Sequence, residues 1–510
     1  MSQAAKLEEF RKRAAAALAG GTDKARERHK AQGKLLVRER LVRFLDAPPA
    51  FEDGLLAGTL RNLAGDAVVT VAGQVAGREV VVIANDMTVK AGSWGHETFL
   101  KITAAQRLAA EARVPIVYLI DSAGARIDEQ ADCYLGRRAW GNIFYNQVQF
   151  SGVVPQLCLM FGPSPAGSAY VPALSDVTFM VDKNATAYLG SPRMAEMAIG
   201  EKVTEEQMGG AKMHCQVSGL GDMLLASEEE ALAAGRRYLS YFPPHWEELP
   251  PTAQAVAPKS GRGILEIVPA DQNVPFPVHE LIERLVDADS FLEIKALFAR
   301  EIVTGLARLG GRSVGVVANN SAVKGGVLFN DSSDKAARFI WLCNAFNLPL
   351  LFLQDISGYM IGSQVERAGI IRHGAKLLSA VCEATVPRIA VMVRKGYGGG
   401  YLAMSGAPTN PDAQLALPTA MPALMGPEAA VNAVYLNDIL ALPEADRPAF
   451  IAAKRAEYAR DITVAHPADR FAFEAVVEPE GLRDELIRRF ALYARRRAGR
   501  IERRCGVWPV

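Results

Sequence analysis

Two small-residue turns carry the most suggestive chemistry in this 510-residue chain. In the first, the apolar stretch Gln156–Phe161 runs into Gly162-Pro163-Ser164-Pro165 and then Ala166-Gly167-Ser168-Ala169. In the second, Ile389–Val393 runs into Arg394-Lys395-Gly396-Tyr397 and then Gly398-Gly399-Gly400. Each apolar stretch reads as a buried strand and each small-residue run as the start of a helix. The first N–H groups of a helix have no partner within it, and small residues let a substrate atom come close to them. Two such groups aimed at one point make an oxyanion hole for a developing enolate or urea-type oxyanion, worth roughly 3 kcal/mol per donor. A single glycine run is explained as well by a tight strand-to-helix turn. Two equivalent runs in one chain favour function.

Other chemistries lack their residues. There is no GxxxxGK[ST] and no strand-following GxGxxG, so nucleotide hydrolysis is not indicated. There is no GxSxG elbow and no HExxH, and the seven histidines show no metal-ligand spacing. His214 and His373 read as packing or surface residues. The six cysteines form no CxxC pair, and four of them sit in apolar or helical surroundings that suit a small buried hydrophobe. An enzyme built this way works by backbone electrostatics and positioning rather than by side-chain acids and bases.

The elements that must position the two turns occur twice. Val114–Ile127 (VPIVYLIDSAGARI) parallels Leu348–Ile361 (LPLLFLQDISGYMI), and Val153–Tyr170 parallels Thr385–Tyr401. A third pair, Val177–Met197 and Gln414–Val431, follows each turn. Asp121 and Asp355 lie 234 positions apart, Pro155 and Pro387 lie 232 apart, and Gly190 and Gly426 lie 236 apart. A near-constant offset over three elements predicts two homologous domains, 1–255 and 256–510, with the Pro, Ser and Gly content of Pro250–Gly263 suggesting a linker. Within each repeat, strands alternate with helices, expected over Glu97–Arg113 and Asp334–Phe346. The class is α/β, and unbroken apolar runs imply sheets covered on both faces.

Half the residues are apolar, 22% are charged, and the formal net charge is +1, a balance that gives no sign of nucleic acid. The longest apolar stretches fall well short of the roughly 20 residues that span a bilayer, so no membrane segment is expected. The N-terminal run Met1–Ala19 is amphipathic and lacks both a signal-peptide core and a cleavage site. A cytoplasmic location is the expectation.

Several longer stretches then match one family in order. His29–Arg40 (HKAQGKLLVRER) looks like HxxGKLxxRER, and Asp121–Ile127 resembles DSGGARI. Gly162–Asp176 resembles GPCAGGAVYSPALTD, Gly369–Lys376 with Glu383–Pro387 resembles GIIRxGAK and EATVP, and Arg394–Tyr401 is similar to RKAYGGAY. From about Arg26 to Arg495 the chain resembles the carboxyltransferase β subunits of biotin-dependent acyl-CoA carboxylases, of the propionyl-CoA and methylcrotonyl-CoA type.

That resemblance implies a duplicated crotonase-like fold, an N-terminal domain on the acyl-CoA side and a C-terminal domain on the biotin side. It implies a ring-like homo-hexamer whose active site lies where the first domain of one subunit meets the second of another. The implied reaction moves a carboxyl group from carboxybiotin to the α- (or vinylogous γ-) carbon of a short-chain acyl-CoA through an enolate. Ala166 and Gly167 would supply one pair of oxyanion donors, and Gly399 and Gly400 the other. Gly124, Ala125, Arg126, Tyr170, Tyr401 and Leu402 would line the substrate, with Lys34, Arg38 and Arg126 the basic candidates for the coenzyme A phosphates. No metal is implied.

The chain shows neither an ATP-grasp signature nor a Met-Lys-Met biotin acceptor, so biotin is expected on a partner, a biotin carboxylase or biotin carboxyl carrier subunit. A biotin-dependent acyl-CoA decarboxylase subunit shares the motifs, and another crotonase-fold acyl-CoA enzyme is a further alternative. Leu402 stands where the propionyl-type enzymes carry an Asp that shapes the acyl pocket. Asn85–Gly95 and Phe144-Tyr145-Asn146-Gln147 look closer to the methylcrotonyl branch, while Gly369–Lys376 looks closer to the propionyl one.

Overall fold

The runs of consecutive apolar residues become the central strands of two sheets in a computed structural model that describes residues 2–136, 139–261 and 263–494, together with 496, 507 and 509. In the first sheet, Phe51–Asp53, Val68–Val75, Arg78–Asn85, Ile116–Ile120, Gln156–Met160, Val177–Val181 and Met223–Leu225 lie side by side in that order. The first three pair antiparallel and the rest parallel. Ile116–Ile120, Gln156–Met160 and Val177–Val181 are buried at every position, as strands covered on both faces must be.

The second sheet repeats this plan. Leu292–Ile294, Ile302–Leu309 and Arg312–Asn319 pair antiparallel, then Leu350–Ile356, Arg388–Tyr397, Ala413–Ala416 and Ala475–Val476 continue in parallel. The short strand Met421–Ala423 pairs with the far end of Arg388–Tyr397. Its counterpart in the first unit is a separate ribbon, Pro163–Pro165 beside Thr186–Tyr188.

The helix expected over Glu97–Arg113 runs His96–Ala112, and the one expected over Asp334–Phe346 runs Asn330–Ala345. The second starts earlier because Ser332 Oγ accepts the Phe329 N–H at 2.6 Å, which closes a polar first turn that no apolar period marks.

The chain divides into two compact units, Met1–Leu249 and Pro250–Val510. The expected boundary after Ala255 therefore moves to Leu249. Residues just beyond it pack on the second unit: Thr252 bridges Arg312, and the Ala253 N–H donates to the Gly311 carbonyl at 2.8 Å. Among the described residues no helix is long and apolar enough to cross a membrane. Cys133, Cys158, Cys215 and Cys343 are buried free thiols and Cys382 is exposed, while Cys505 lies outside the described residues.

Candidate active site

The first turn is set by its prolines. Pro163–Pro165 pairs in parallel with Thr186–Tyr188, and Pro165 stands opposite Tyr188. Neither proline has an N–H, so the donor that closes the last step of this ladder is Ala166. Ala166 then takes a left-handed conformation, φ 54°, a strain of roughly 1–2 kcal/mol for a residue with a Cβ. It opens a tight helical turn, Ala166–Ala169, that leads into the helix Tyr170–Leu174. The pair expected from the sequence is Ala166 and Gly167; on this register the Ala166 N–H stands at the end of the ladder, and the first-turn donors that follow it are those of Gly167 and Ser168.

The second turn is built to the same register. The strand does not stop at Val393, where the apolar run ends, but continues to Tyr397. Tyr397 stands opposite Ala423 as Pro165 stands opposite Tyr188. Gly398 has φ 53°, matching Ala166, and opens the helix Gly398–Ala403. Gly399 and Gly400 therefore occupy the places of Gly167 and Ser168. Gly167 and Gly399 are exposed, while Ser168 and Gly400 are buried behind them. A Cβ on Gly399 would meet only Tyr359 at 4.0 Å, whereas one on Gly400 would strike Ile356 Cγ1 at 2.6 Å and Gly358 Cα at 2.9 Å. Gly400 is thus required by packing as well as by any ligand.

Under each turn lies a buried aspartate. Asp121 accepts from Lys34 Nζ at 2.7 Å and Arg40 Nη2 at 2.9 Å, and Arg40 also grips Glu228 with Nε at 2.7 Å. Burial pushes the Asp121 carboxyl up, but Arg40 and then Lys34 outweigh it and hold the carboxyl below its ordinary value. Asp355 accepts from Arg394 Nη2 at 2.9 Å, with Lys395 Nζ at 3.7 Å. These pairs explain why the second strand outlasts its apolar run: Arg394 and Lys395 are buried because Asp355 receives them.

The basic residues expected on the coenzyme A route are spent elsewhere. Lys34 is buried on Asp121. Arg38 makes a bidentate pair with Glu52 at 2.7 and 2.9 Å. Arg126 is buried, with Nη1 2.6 Å from Asp66 Oδ1 and 3.1 Å from Glu129 Oε1. Each of the three thus has a carboxylate partner. The sequence showed the motifs but not the carboxylates that meet them, 14 positions away for Arg38, 60 for Arg126 and 87 for Lys34.

The loop after each aspartate abuts its turn. The Ser122 N–H donates to the Pro163 carbonyl at 2.9 Å, and a Cβ on Gly124 would meet Pro165 at 3.2 Å. Ala125 bridges Trp94, as Tyr359 bridges Leu328 in the second unit. Tyr170 is exposed and stands edge-on to Phe144, with ring centroids 5.8 Å apart. Phe144 also lies 3.8 Å from where a Cβ on Gly167 would be, so it walls the first pair of donors. Phe144 is the lining residue that motif reading passed over; its signal was only the branch likeness of the Phe144–Gln147 stretch. Tyr401 turns inward, its hydroxyl accepting the Ala407 N–H at 2.8 Å, and Leu402 is partly buried beside it.

His214 is a packing residue, its Nε2 2.7 Å from the Ala187 carbonyl oxygen and Nδ1 2.7 Å from Ser218 Oγ. His373 Nδ1 lies 2.8 Å from Asp334 Oδ1. Among the described residues no group of His, Cys, Asp and Glu is placed to hold a metal ion.

Residues 28–507 match the carboxyl transferase domain family. The chain belongs to that family. It is 54% identical over 493 residues to an uncharacterised carboxylase, YngE, of Bacillus subtilis (strain 168), covering 96% of each chain. It is 39% identical to the biotin-dependent 3-methylcrotonyl-coenzyme A carboxylase β1 subunit of Mycobacterium tuberculosis (strain ATCC 25618 / H37Rv), over 83% of this chain and 80% of that one. Among solved structures, the transcarboxylase 12S hexamer with methylmalonyl-coenzyme A and methylmalonic acid bound matches with a TM-score of 0.93 and 34% identity over the whole of both chains. The fold is accordingly the duplicated crotonase-like fold, one copy per unit, and the family's chemistry is carboxyl transfer between biotin and acyl-CoA.

Proposed function

We propose that this chain is the carboxyltransferase subunit of a biotin-dependent acyl-CoA carboxylase, and that each unit contributes one oxyanion hole. Gly167 and Ser168 form the first and Gly399 and Gly400 the second. The observation that carries this reading is the equivalence of the two turns, each with a left-handed residue followed by an exposed and then a buried N–H at a helix start. Such paired donors stabilise a developing oxyanion without a side-chain base. The first pair, walled by Phe144 and Tyr170, receives the thioester carbonyl and holds the enolate oxygen. The second, where Gly399 has no side chain to fill the space, fits a urea oxygen. Carboxybiotin, carried on a biotin carboxyl carrier or biotin carboxylase partner, supplies the carboxyl group. The transcarboxylase 12S core assembles as a hexamer, and a homo-hexamer is the assembly proposed here, within a larger complex with the biotin-bearing partner.

The acyl group is short. Leu402 replaces the acid of propionyl-type enzymes and Phe144 restricts the first pocket, which together favour an apolar chain over a charged one; the vinylogous γ-carbon is the acceptor if that chain is methylcrotonyl. A hydratase or hydrolase of the same fold needs a free carboxylate beside a hole. Glu129, close by in sequence, instead accepts from Arg126, Arg61 and the His96 N–H. Burial raises its carboxyl, but the His96 N–H and Arg126 outweigh that and hold it below its ordinary value.

The test is carboxyl exchange. Purified chain incubated with methylmalonyl-CoA and free biotin should form carboxybiotin, and no exchange with this or any malonyl-type thioester would overturn the proposal. A panel of acetyl-, propionyl-, butyryl-, methylcrotonyl- and geranyl-CoA with the reconstituted partner then names the substrate. Co-purification with a biotin carboxylase rather than a membrane subunit separates carboxylase from decarboxylase.

A further inference from the structure

The opening motif of the chain, His29–Arg40, has no place in the reaction as described so far, and its two buried cations are not available to a phosphate. We infer that Lys34 and Arg40 are positioning residues of the first oxyanion hole, supplying from the N-terminal segment the charge that the second hole draws from its own strand. This inference rests on the carboxyl-transfer reading of the two turns.

Gly162 has no room for a side chain. A Cβ there would lie 1.9 Å from Asp121 Oδ1 and 2.8 Å from Lys34 Nζ. Position 394 is its counterpart at the 232-residue offset of the turns, and there the side chain is Arg394, whose Nε and Nη2 reach the two oxygens of Asp355 at 3.2 and 2.9 Å. The room over the first aspartate is thus left empty by Gly162 and filled by Lys34 from 87 positions away. Arg40 takes the second carboxylate oxygen and lies over the Phe161 ring at 4.5 Å, as Arg394 lies over Phe276 at 5.1 Å. Two different segments reproduce one arrangement: a guanidinium on an aromatic face, paired with a buried aspartate.

That aspartate touches the hole through two connections. Ser122, the next residue, donates to Pro163 inside the turn at 2.9 Å. Gly124 lies against Pro165, one residue before Ala166. Loosening Asp121 therefore shifts the turn that aims Gly167 and Ser168. Displacing an oxyanion donor by about 1 Å is enough to cost on the order of 100-fold in rate.

The decisive variant is Lys34→Met, which keeps most of the stem and removes the charge, measured in the complete assembly by exchange between methylmalonyl-CoA and free biotin. The expected result is a fall in kcat of roughly 10- to 100-fold with KM for methylmalonyl-CoA changed less than about twofold. The acid limb of the kcat profile should move to higher pH, because Asp121 loses a cation, and Lys34→Arg should recover most of the rate. A rise in KM at unchanged kcat would overturn the inference in favour of a direct phosphate contact. Unchanged kcat with a lowered melting temperature would overturn it in favour of a purely structural pair. Asp121→Asn guards against misfolding of the first variant: it should give the same kcat loss, and combining it with Lys34→Met should add little, whereas full additivity would contradict the coupling. If the unsubstituted protein performs no exchange at all, the carboxyl-transfer reading itself fails, and the clamp's catalytic role with it.

Discussion

Asp121 and Asp355 occupy equivalent places under equivalent turns, but the charges around them differ. In the first unit Lys34 and Arg40 face Asp121 and Glu228, two cations against two anions. In the second, Arg394 and Lys395 face Asp355 alone, two against one. The first solution joins segments 188 positions apart; the second lies largely within one strand and the strand beside it. What the duplication has kept is the backbone geometry of the turn and the buried acid, and what it has let drift is the source of the cations. Among the described residues the cluster under the second turn therefore carries one more cation than anion, while the one under the first is balanced.

The largest expected consequence concerns stability. Arg40→Met takes the cation from the buried Glu228 and leaves Asp121 to Lys34, and breaking such a buried pair from one side costs about 3–5 kcal/mol. Arg394→Met leaves Asp355 with Lys395 still 3.7 Å away, so its loss should be smaller. Thermal or denaturant unfolding of the two variants checks the order, and an equal or reversed pair of losses would break the comparison.

Next in size are effects on substrate choice. Phe144→Ala enlarges the wall of the first hole and should shift selectivity toward longer acyl groups by roughly tenfold, the worth of one to two methylenes in an apolar pocket. Leu402→Asp should move preference toward propionyl-CoA by a similar factor. Ratios of kcat/KM across the acyl-CoA panel report both, and a change in only one variant would place the acyl pocket in one unit.

The smallest expected effect tests a feature the two units share. Lys101 and Lys335 are buried at equivalent positions, and their ammonium groups donate only to backbone carbonyls: Gly65 and Val68 for the first, Phe298 and Ile302 for the second. Burial lowers both to about 8. Between that value and the unfolded one, near 10.4, the unfolded chain holds a proton the folded chain has shed, so each lysine makes stability rise with pH across this window. Lys335→Met should reduce the slope by up to about 1.4 kcal/mol per pH unit, and Lys101→Met should match it. Unequal slopes would show that the shared lysines have diverged as the aspartate clamps have.

The sequence carried the duplication, the α/β class and the position of both turns, because each depends on local pattern: apolar runs, prolines and glycines at a repeated spacing. Two things were illegible for physical reasons. The first was which N–H groups remain open. Ala166 reads as a donor by motif, whereas the prolines at 163 and 165 place its N–H at the end of a strand ladder. The second was the fate of the basic residues. Lys34, Arg38 and Arg126 sit in recognisable motifs, but their partners Asp121, Glu52 and Asp66 lie on other elements, and no local pattern announces a tertiary ion pair. The same cause hid the length of the strand Arg388–Tyr397, whose charged end is buried only because Asp355 is there.

The proposed reaction needs two backbone oxyanion holes, one per unit, and the most direct test removes one donor from each. Proline is tolerated in the first turn of a helix, and a Cβ at Gly167 or Gly399 meets nothing closer than 3.8 Å. Gly167→Pro and Gly399→Pro should therefore fold and assemble as the unsubstituted protein does, while kcat for carboxyl exchange between methylmalonyl-CoA and free biotin falls by about 100- to 1,000-fold in each. A folded, assembled variant of either kind that keeps near-normal kcat would contradict the account.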